Sequence, residues 1–293
     1  MNTHLQRLQR RYQSQPQQIP RPPKSPKTGP ARHWRLFTTA THYALIEHAR
    51  NRFATFLAAL LVPAVIVLVY VTVRESPVPF VLQSTGRRLS PQGNELTAVT
   101  AAVNSVTLIT GFMMFGATLL SGDFDRRLAM AGYPRTHLAL AKLAALMAAA
   151  LAVTAYTTGI LCTLWAPRQP LQLAAGLLCG GLTYGALGVA FGSLLRKEVE
   201  GMFAIALTSV IDTALQNPVS SSDANGSVIH SLPSYGAVQA AVAGSFSEER
   251  LPEYLALQLA WFTTAALVSL VAFHRRTRNA LRYARAEPEA ATA

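Results

Sequence analysis

Gly122-Asp123-Phe124-Asp125-Arg126-Arg127-Leu128-Ala129-Met130-Ala131-Gly132-Tyr133-Pro134-Arg135-Thr136-His137 is a short polar interruption between two long apolar runs. Asp123 is a good helix N-cap, and Asp125 follows in the first turn, where the helix dipole favours an acid. Gly132 fits the position just past a helix end, and Pro134 blocks continuation. The pattern predicts a separate helix of about two turns. Phe124, Leu128 and Ala131 share one face of it, with Arg126 and Arg127 beside that face and Arg135 beyond the proline. A helix this short is unstable alone in water. It must pack under membrane helices of its own chain or against a partner protein.

The flanking runs set the fold class. Five uncharged stretches are near or above the roughly 20 residues that cross a bilayer: Phe53–Val73, Leu96–Gly122, Leu143–Trp165, Leu171–Leu195 and Tyr254–His274. A sixth, Gly201–Ile211, is shorter and is followed by Asp212. No soluble domain of 293 residues needs five such runs, and the alternation of a membrane β-barrel is absent. The expectation is an all-α polytopic membrane protein with six spans, near residues 53–73, 96–122, 138–165, 171–195, 199–216 and 254–274.

Charge sets the expected orientation. The net charge is +12. With six spans and the N-terminus inside, 21 of the 26 Lys and Arg lie on inner segments and 5 on outer ones. The positive-inside rule then puts both termini, and the stretch from Gly122 to His137, in the cytoplasm. Basic residues are not interleaved with stacking aromatics in any folded stretch, which argues against nucleic acid as a partner. Cys162 and Cys179 lie inside expected spans and read as small packing residues, giving neither a disulfide framework nor a metal site. The first apolar run begins only at Phe53, so no cleavable signal peptide is expected.

Residues 1–31, rich in Gln, Pro and Arg, read as a disordered basic cytoplasmic tail close to anionic lipid. From Arg32 to Arg52, Trp34, Phe37, Thr41, Ala44 and Leu45 recur at helical spacing, as in an interfacial amphipathic helix. The six-span body then runs over 32–278, with a short cytoplasmic tail over 279–293. Arg74–Glu95, with three prolines and two glycines, suits turns rather than a folded unit.

Inside the spans the polar residues are few. Asn104, Ser105, Thr107 and Thr110 bond across helices or line a path. Gly181, Gly185, Gly188 and Gly192 form a stripe that lets another backbone come close, which is a packing signal. Lys142 is near enough to the inner face to snorkel. Asp212 falls either near the midplane or in an outer vestibule, and the Asn217-Pro218 that follows favours the vestibule. The long outer segment 217–253 contains His230, then Pro233, then a mostly small and apolar Ser234–Gly244. Pro233 suits a first helical turn, so a half-buried or re-entrant outer helix is expected. Asn104, Asp212 and His230 are the candidates for a substrate path.

Enzymatic motifs are missing. The sequence has no Gly-x-x-x-x-Gly-Lys-Ser/Thr phosphate loop, no His-Glu-x-x-His and no Gly-x-Ser-x-Gly. Seven scattered His and a lone membrane acid assemble neither a metal set nor a carboxylate dyad.

The order of elements resembles the ABC transporter permeases of the type-2 exporter class. The resemblance rests on the basic tail, the interfacial helix, His48-Ala49-Arg50-Asn51-Arg52-Phe53 entering a span with Pro63 at its middle, and six spans. Its strongest local part is Asp125-Arg126-Arg127 through Pro134-Arg135, with Lys142 beyond, which looks like the class's coupling segment. Leu232-Pro233 before the outer helix and the Arg-rich end after the last span also fit. Asp125 stands where the class usually carries Glu, and Leu128-Ala129 where it often has Gly-Thr. The resemblance covers about Trp34–Arg278. It implies a plasma-membrane protein of bacterial type without catalytic, cofactor or metal sites. Two permease copies, or one copy with a related permease chain, would join separate ATPase subunits that bind the ATP and Mg2+. Asp123–Leu128, Ala131, Gly132, Pro134 and Arg135 would form the contact to the ATPase, and exported substrates would be drug-like, lipid or glycan.

Two other classes compete. An ion-coupled secondary transporter needs midplane coupling residues and often inverted repeats, of which Asp212 is the only trace. A membrane-embedded enzyme needs a clustered acid–base or metal set, which the spans lack.

Overall fold

The computed structural model of the chain describes residues 30–195, 197–221 and 226–290. The basic tail up to residue 29, Arg196, residues 222–225 of the Ser-rich loop and the last three residues of the C-terminal tail lie outside the described residues. Two units divide the chain, Met1–Arg35 and Leu36–Ala293. Among the described residues the first holds only the opening of α1, and the whole core belongs to the second.

The elements are α1 (Pro30–Arg50), α2 (Arg52–Thr72), a hairpin of β1 (Phe80–Leu82) and β2 (Arg87–Leu89), α3 (Gly93–Met130), α4 (Arg135–Leu164), α5 (Pro170–Leu194), α6 (Glu198–Leu215), α7 (Tyr235–Phe246) and α8 (Pro252–Ala290). A 3-10 turn, Ser227–Ser231, precedes α7. Among the described residues five helices are long and apolar enough to cross a membrane: α2 over Thr55–Thr72, α3, α4, α5, and α8 over Pro252–Ala272. α6, with 18 residues and Glu198, Glu200 and Asp212 among them, is outside that set. α2 and α8 keep large apolar side chains on the outside, Leu68 at 61% and Val71 at 69% exposure among them. Such faces suit hydrocarbon and not water. Among the described residues the protein is all-α apart from the hairpin, and it is membrane-embedded.

The hairpin corrects the reading of Arg74–Glu95 as turns alone. Phe80 pairs with Leu89 and Leu82 with Arg87 in an antiparallel register. Gly86, at φ 65°, supplies the left-handed residue that its tight loop requires. Phe80, Leu82 and Leu89 turn into the core. The Ser84 backbone N–H donates to the Tyr254 hydroxyl of α8 at 2.7 Å, which fastens the loop to the helices.

At the centre α3 packs against α5, and the glycine stripe explains how closely. A Cβ on Gly181 would meet Val106 at 2.9 Å, one on Gly188 the Gly111 carbonyl oxygen at 2.3 Å, and one on Gly192 the Phe115 carbonyl oxygen at 2.9 Å. Gly185 instead makes room for Leu146 of α4. Close backbone approach of this kind is how helices gain van der Waals contact where no hydrophobic force joins them.

The stretch after Pro233 forms a helix as expected, α7, but it is buried rather than half-buried: none of its described side chains is exposed. Its small residues and its neighbours' glycines allow this: a Cβ on Gly176 would lie 2.9 Å from Ala237 O. At both ends of α7, backbone groups that the helix itself leaves over find partners, as burial demands. The Ala237 N–H donates to Gln258 Oε1, while the carbonyls of Gly244 and Ser245 accept from the N–H groups of Gln169 and Arg168.

Candidate functional site

The stretch from Gly122 to His137 folds differently from its reading. Asp123 caps nothing, because α3 runs unbroken from Gly93 to Met130 and no separate two-turn helix forms. Starting a new helix incurs a nucleation cost, whereas continuing one adds a hydrogen bond for each residue fixed. The single Gly122 costs only about 1 kcal/mol in a helix interior and is too weak a breaker. The end of α3 is a Schellman arrangement: the Tyr133 N–H donates to Leu128 O at 3.0 Å and the Gly132 N–H to Ala129 O at 3.3 Å. Gly132 sits at φ 88°, and Pro134 opens α4. The Tyr133 hydroxyl donates to the Leu36 carbonyl of α1, so the turn is also tied to that helix.

The predicted common apolar face is split. Phe124 is 60% exposed, Leu128 half-buried and Ala131 exposed. Asp123, Arg126, Arg127 and Met130 are exposed and Arg135 is half-buried. Asp125 alone turns inward, at 6% exposure, and its Oδ2 lies 2.8 Å from Lys142 Nζ. Lys142 also donates to the Ser121 hydroxyl, which in turn donates to Asp125. Lys142 therefore does not snorkel outward. It is consumed in a buried ion pair that clamps α3 to α4.

Asp212 occupies neither an open vestibule nor a bare midplane. It is 2% exposed and saturated with donors: the Tyr184 hydroxyl at 2.5 Å and the Ser234 N–H at 2.9 Å to Oδ2, and Gln216 Nε2 at 2.8 Å to Oδ1. The carboxylate thus joins α5, α6 and the start of α7, with the positive end of the α7 dipole facing it. Asn104 lies on a neighbouring seam, donating to Ser209 O and to the Thr213 hydroxyl of α6. Thr107 and Ser209 share a hydrogen bond at 2.8 Å below it. Asn104 also lines a side groove of about 250 Å³ with Thr100, Thr213 and Asn217. His230 is exposed, its ring 4.9 Å from that of Tyr235. The three path candidates are thus linked only through neighbours: Asn104 reaches Thr213, the residue after Asp212, and His230 packs on Tyr235, the residue after Ser234.

Sequence reasoning missed Tyr184, Ser234, Gln216 and Gln258. Gln258 donates to the Thr183 hydroxyl and the Pro233 carbonyl and accepts from Ala237. The available signal was a glutamine inside an apolar run, since a buried amide must find partners. Among the described residues no group of three His, Cys, Asp or Glu is placed to hold a metal. No protein-family model matches the chain, and no curated protein matches it.

Proposed function

We propose that the chain is the membrane-spanning permease subunit of an ATP-driven exporter. In this reading α6 is a sixth, short span and both termini are cytoplasmic, in line with the 21-to-5 division of basic residues. ATP and Mg2+ are bound by a separate ATPase subunit, a second permease chain completes the path, and the cargo is drug-like, lipid or glycan.

The observation that carries the proposal is the form of the α3–α4 end. Exposed Arg126, Arg127 and Met130 stand on a helix that continues unbroken into a span, and the Asp125–Lys142 pair fixes that end to α4. A partner docked there moves the spans directly. Asp212 does not favour ion coupling, because its oxygens are already taken by three donors from within the chain.

The test is the double variant Arg127→Glu/Met130→Asp, both positions being exposed. The variant is expected in the membrane at normal level, without its ATPase on co-purification and without ATP-dependent export. Retention of the ATPase with full export removes the docking role. Export that continues with a hydrolysis-dead ATPase and follows a proton gradient makes the protein a secondary transporter.

A further inference from the structure

A cavity of about 720 Å³ lies between α1 and the facing ends of α3 and α4. Its size falls within the roughly 300–1,000 Å³ of small-molecule sites. Nothing in the ATPase-docking role requires it. Tyr43 of α1, Ala117 and Leu120 of α3 and Leu138 of α4 supply apolar wall. Glu47 and Arg50 of α1 line it together with the Asp125–Lys142 pair. Leu120 and Phe124, 77% and 60% exposed, continue that wall onto the outer apolar surface.

We propose that this cleft is a binding site for a zwitterionic phospholipid, the headgroup between Glu47 and Arg50 and the upper chain along Tyr43, Ala117 and Leu120. The lining charge selects this occupant. The lining charges balance, two cations against two carboxylates, and burial together with the Lys142 charge pushes the His48 imidazole below its usual pKa, so it adds no positive charge. An anionic lipid would meet two carboxylates without a surplus of cations, whereas a dipolar headgroup finds a partner for each end. The inference rests on membrane embedding and on α1 lying at the interface. It does not rest on the ATPase.

The test uses the full-length chain in nanodiscs of digalactosyl diacylglycerol, a bulk lipid with neither phosphate nor charge. These contain a trace of phosphatidylethanolamine with a photoactivatable group on its acyl chain. Labelling is expected to map by mass spectrometry to Tyr43, Leu120 and Phe124. Unlabelled phosphatidylethanolamine should suppress it, and added phosphatidylglycerol should not. Ala117→Trp, which fills the cavity, should lower labelling at least about fivefold. Glu47→Arg, which reverses the charge facing the headgroup, should make phosphatidylglycerol an effective competitor. Labelling spread over the outer faces of α2 and α8 and indifferent to either variant overturns the proposal. Equal competition by phosphatidylglycerol in the unsubstituted protein also overturns it. No ATPase is present in the assay, so its failure leaves the permease reading where it stood.

Discussion

The Tyr184 hydroxyl donates to Asp212 Oδ2 at 2.5 Å between α5 and α6, with the two residues 1% and 2% exposed. Removing that hydroxyl withdraws one of three donors from a buried carboxylate. Tyr184→Phe should cost about 1.5–3 kcal/mol, the range for hydrogen bonds to charged groups. Ser234→Ala should cost less, because the backbone N–H that serves Asp212 remains. Unfolding midpoints in detergent decide this, and equal costs would mean that the carboxylate does not depend on the tyrosine.

Lys142 and Asp125 have side chains only 14% and 9% exposed. Lys142→Met strands a buried carboxylate and should destabilise by about 3–5 kcal/mol, while Lys142→Met/Asp125→Leu should recover much of the loss. A double-mutant cycle on thermal unfolding gives the coupling. Additive effects would refute a closed pair.

Glycines on the two faces should respond with opposite signs. Gly188→Ala places a methyl 2.3 Å from a backbone oxygen of α3 and should cost about 3 kcal/mol, at the upper end for overpacking. Gly159→Ala, in α4 with nothing within 4 Å of the added carbon, should gain about 0.5–1 kcal/mol. Paired unfolding curves measure both.

His48 adds a pH dependence of fixed sign. Its pKa is lowered from 6.5, first by burial and then by Lys142. The unfolded chain therefore binds the proton more readily, and this residue's share of stability is lost as pH falls below 6.5 towards the lower folded value. Glu47, raised from 4.5 by burial above all, acts in the opposite sense at the acid end. Comparing the chain with His48→Gln isolates the histidine. The variant should lose less stability between pH 7.5 and pH 5.5, two settings chosen about one unit either side of an unperturbed histidine. Parallel melting curves would count against a neutral, half-buried imidazole.

Topology is tested by single cysteines at Ser84, Val228 and Met130, all exposed, on a background without Cys162 and Cys179. An impermeant thiol reagent on intact cells should label Ser84→Cys and Val228→Cys and spare Met130→Cys. Outside labelling at Met130→Cys reverses the orientation.

The long apolar runs made five helices legible, because the bilayer-length pattern follows from backbone satisfaction in hydrocarbon alone. The end of α3 was legible too, since Gly132 and Pro134 act through their own backbone. The start of the supposed short helix was misread for a physical reason. Asp123 has the chemistry of a cap, but a cap needs a helix that must begin there, and α3 had no cause to stop. Asp125 was read as a local dipole partner when its real partner, Lys142, lies 17 residues on and is reached only by folding α4 back. Tyr184 and Ser234 escaped for the same reason, since their bonds to Asp212 join residues from three helices.

The continuity of α3 has a geometric consequence. Its 38 residues make a rod of about 57 Å, against a hydrocarbon thickness of about 30 Å. Gly111, where the α5 backbone comes nearest, stands at its midpoint with about 27 Å of helix on either side. The crossing therefore divides the rod into two nearly equal arms. A rigid tilt of about 5° about it would carry each tip roughly 2.4 Å, in opposite directions. On a rigid rod, a displacement of Met130 would be matched by an opposite one at Gly93, beside the hairpin.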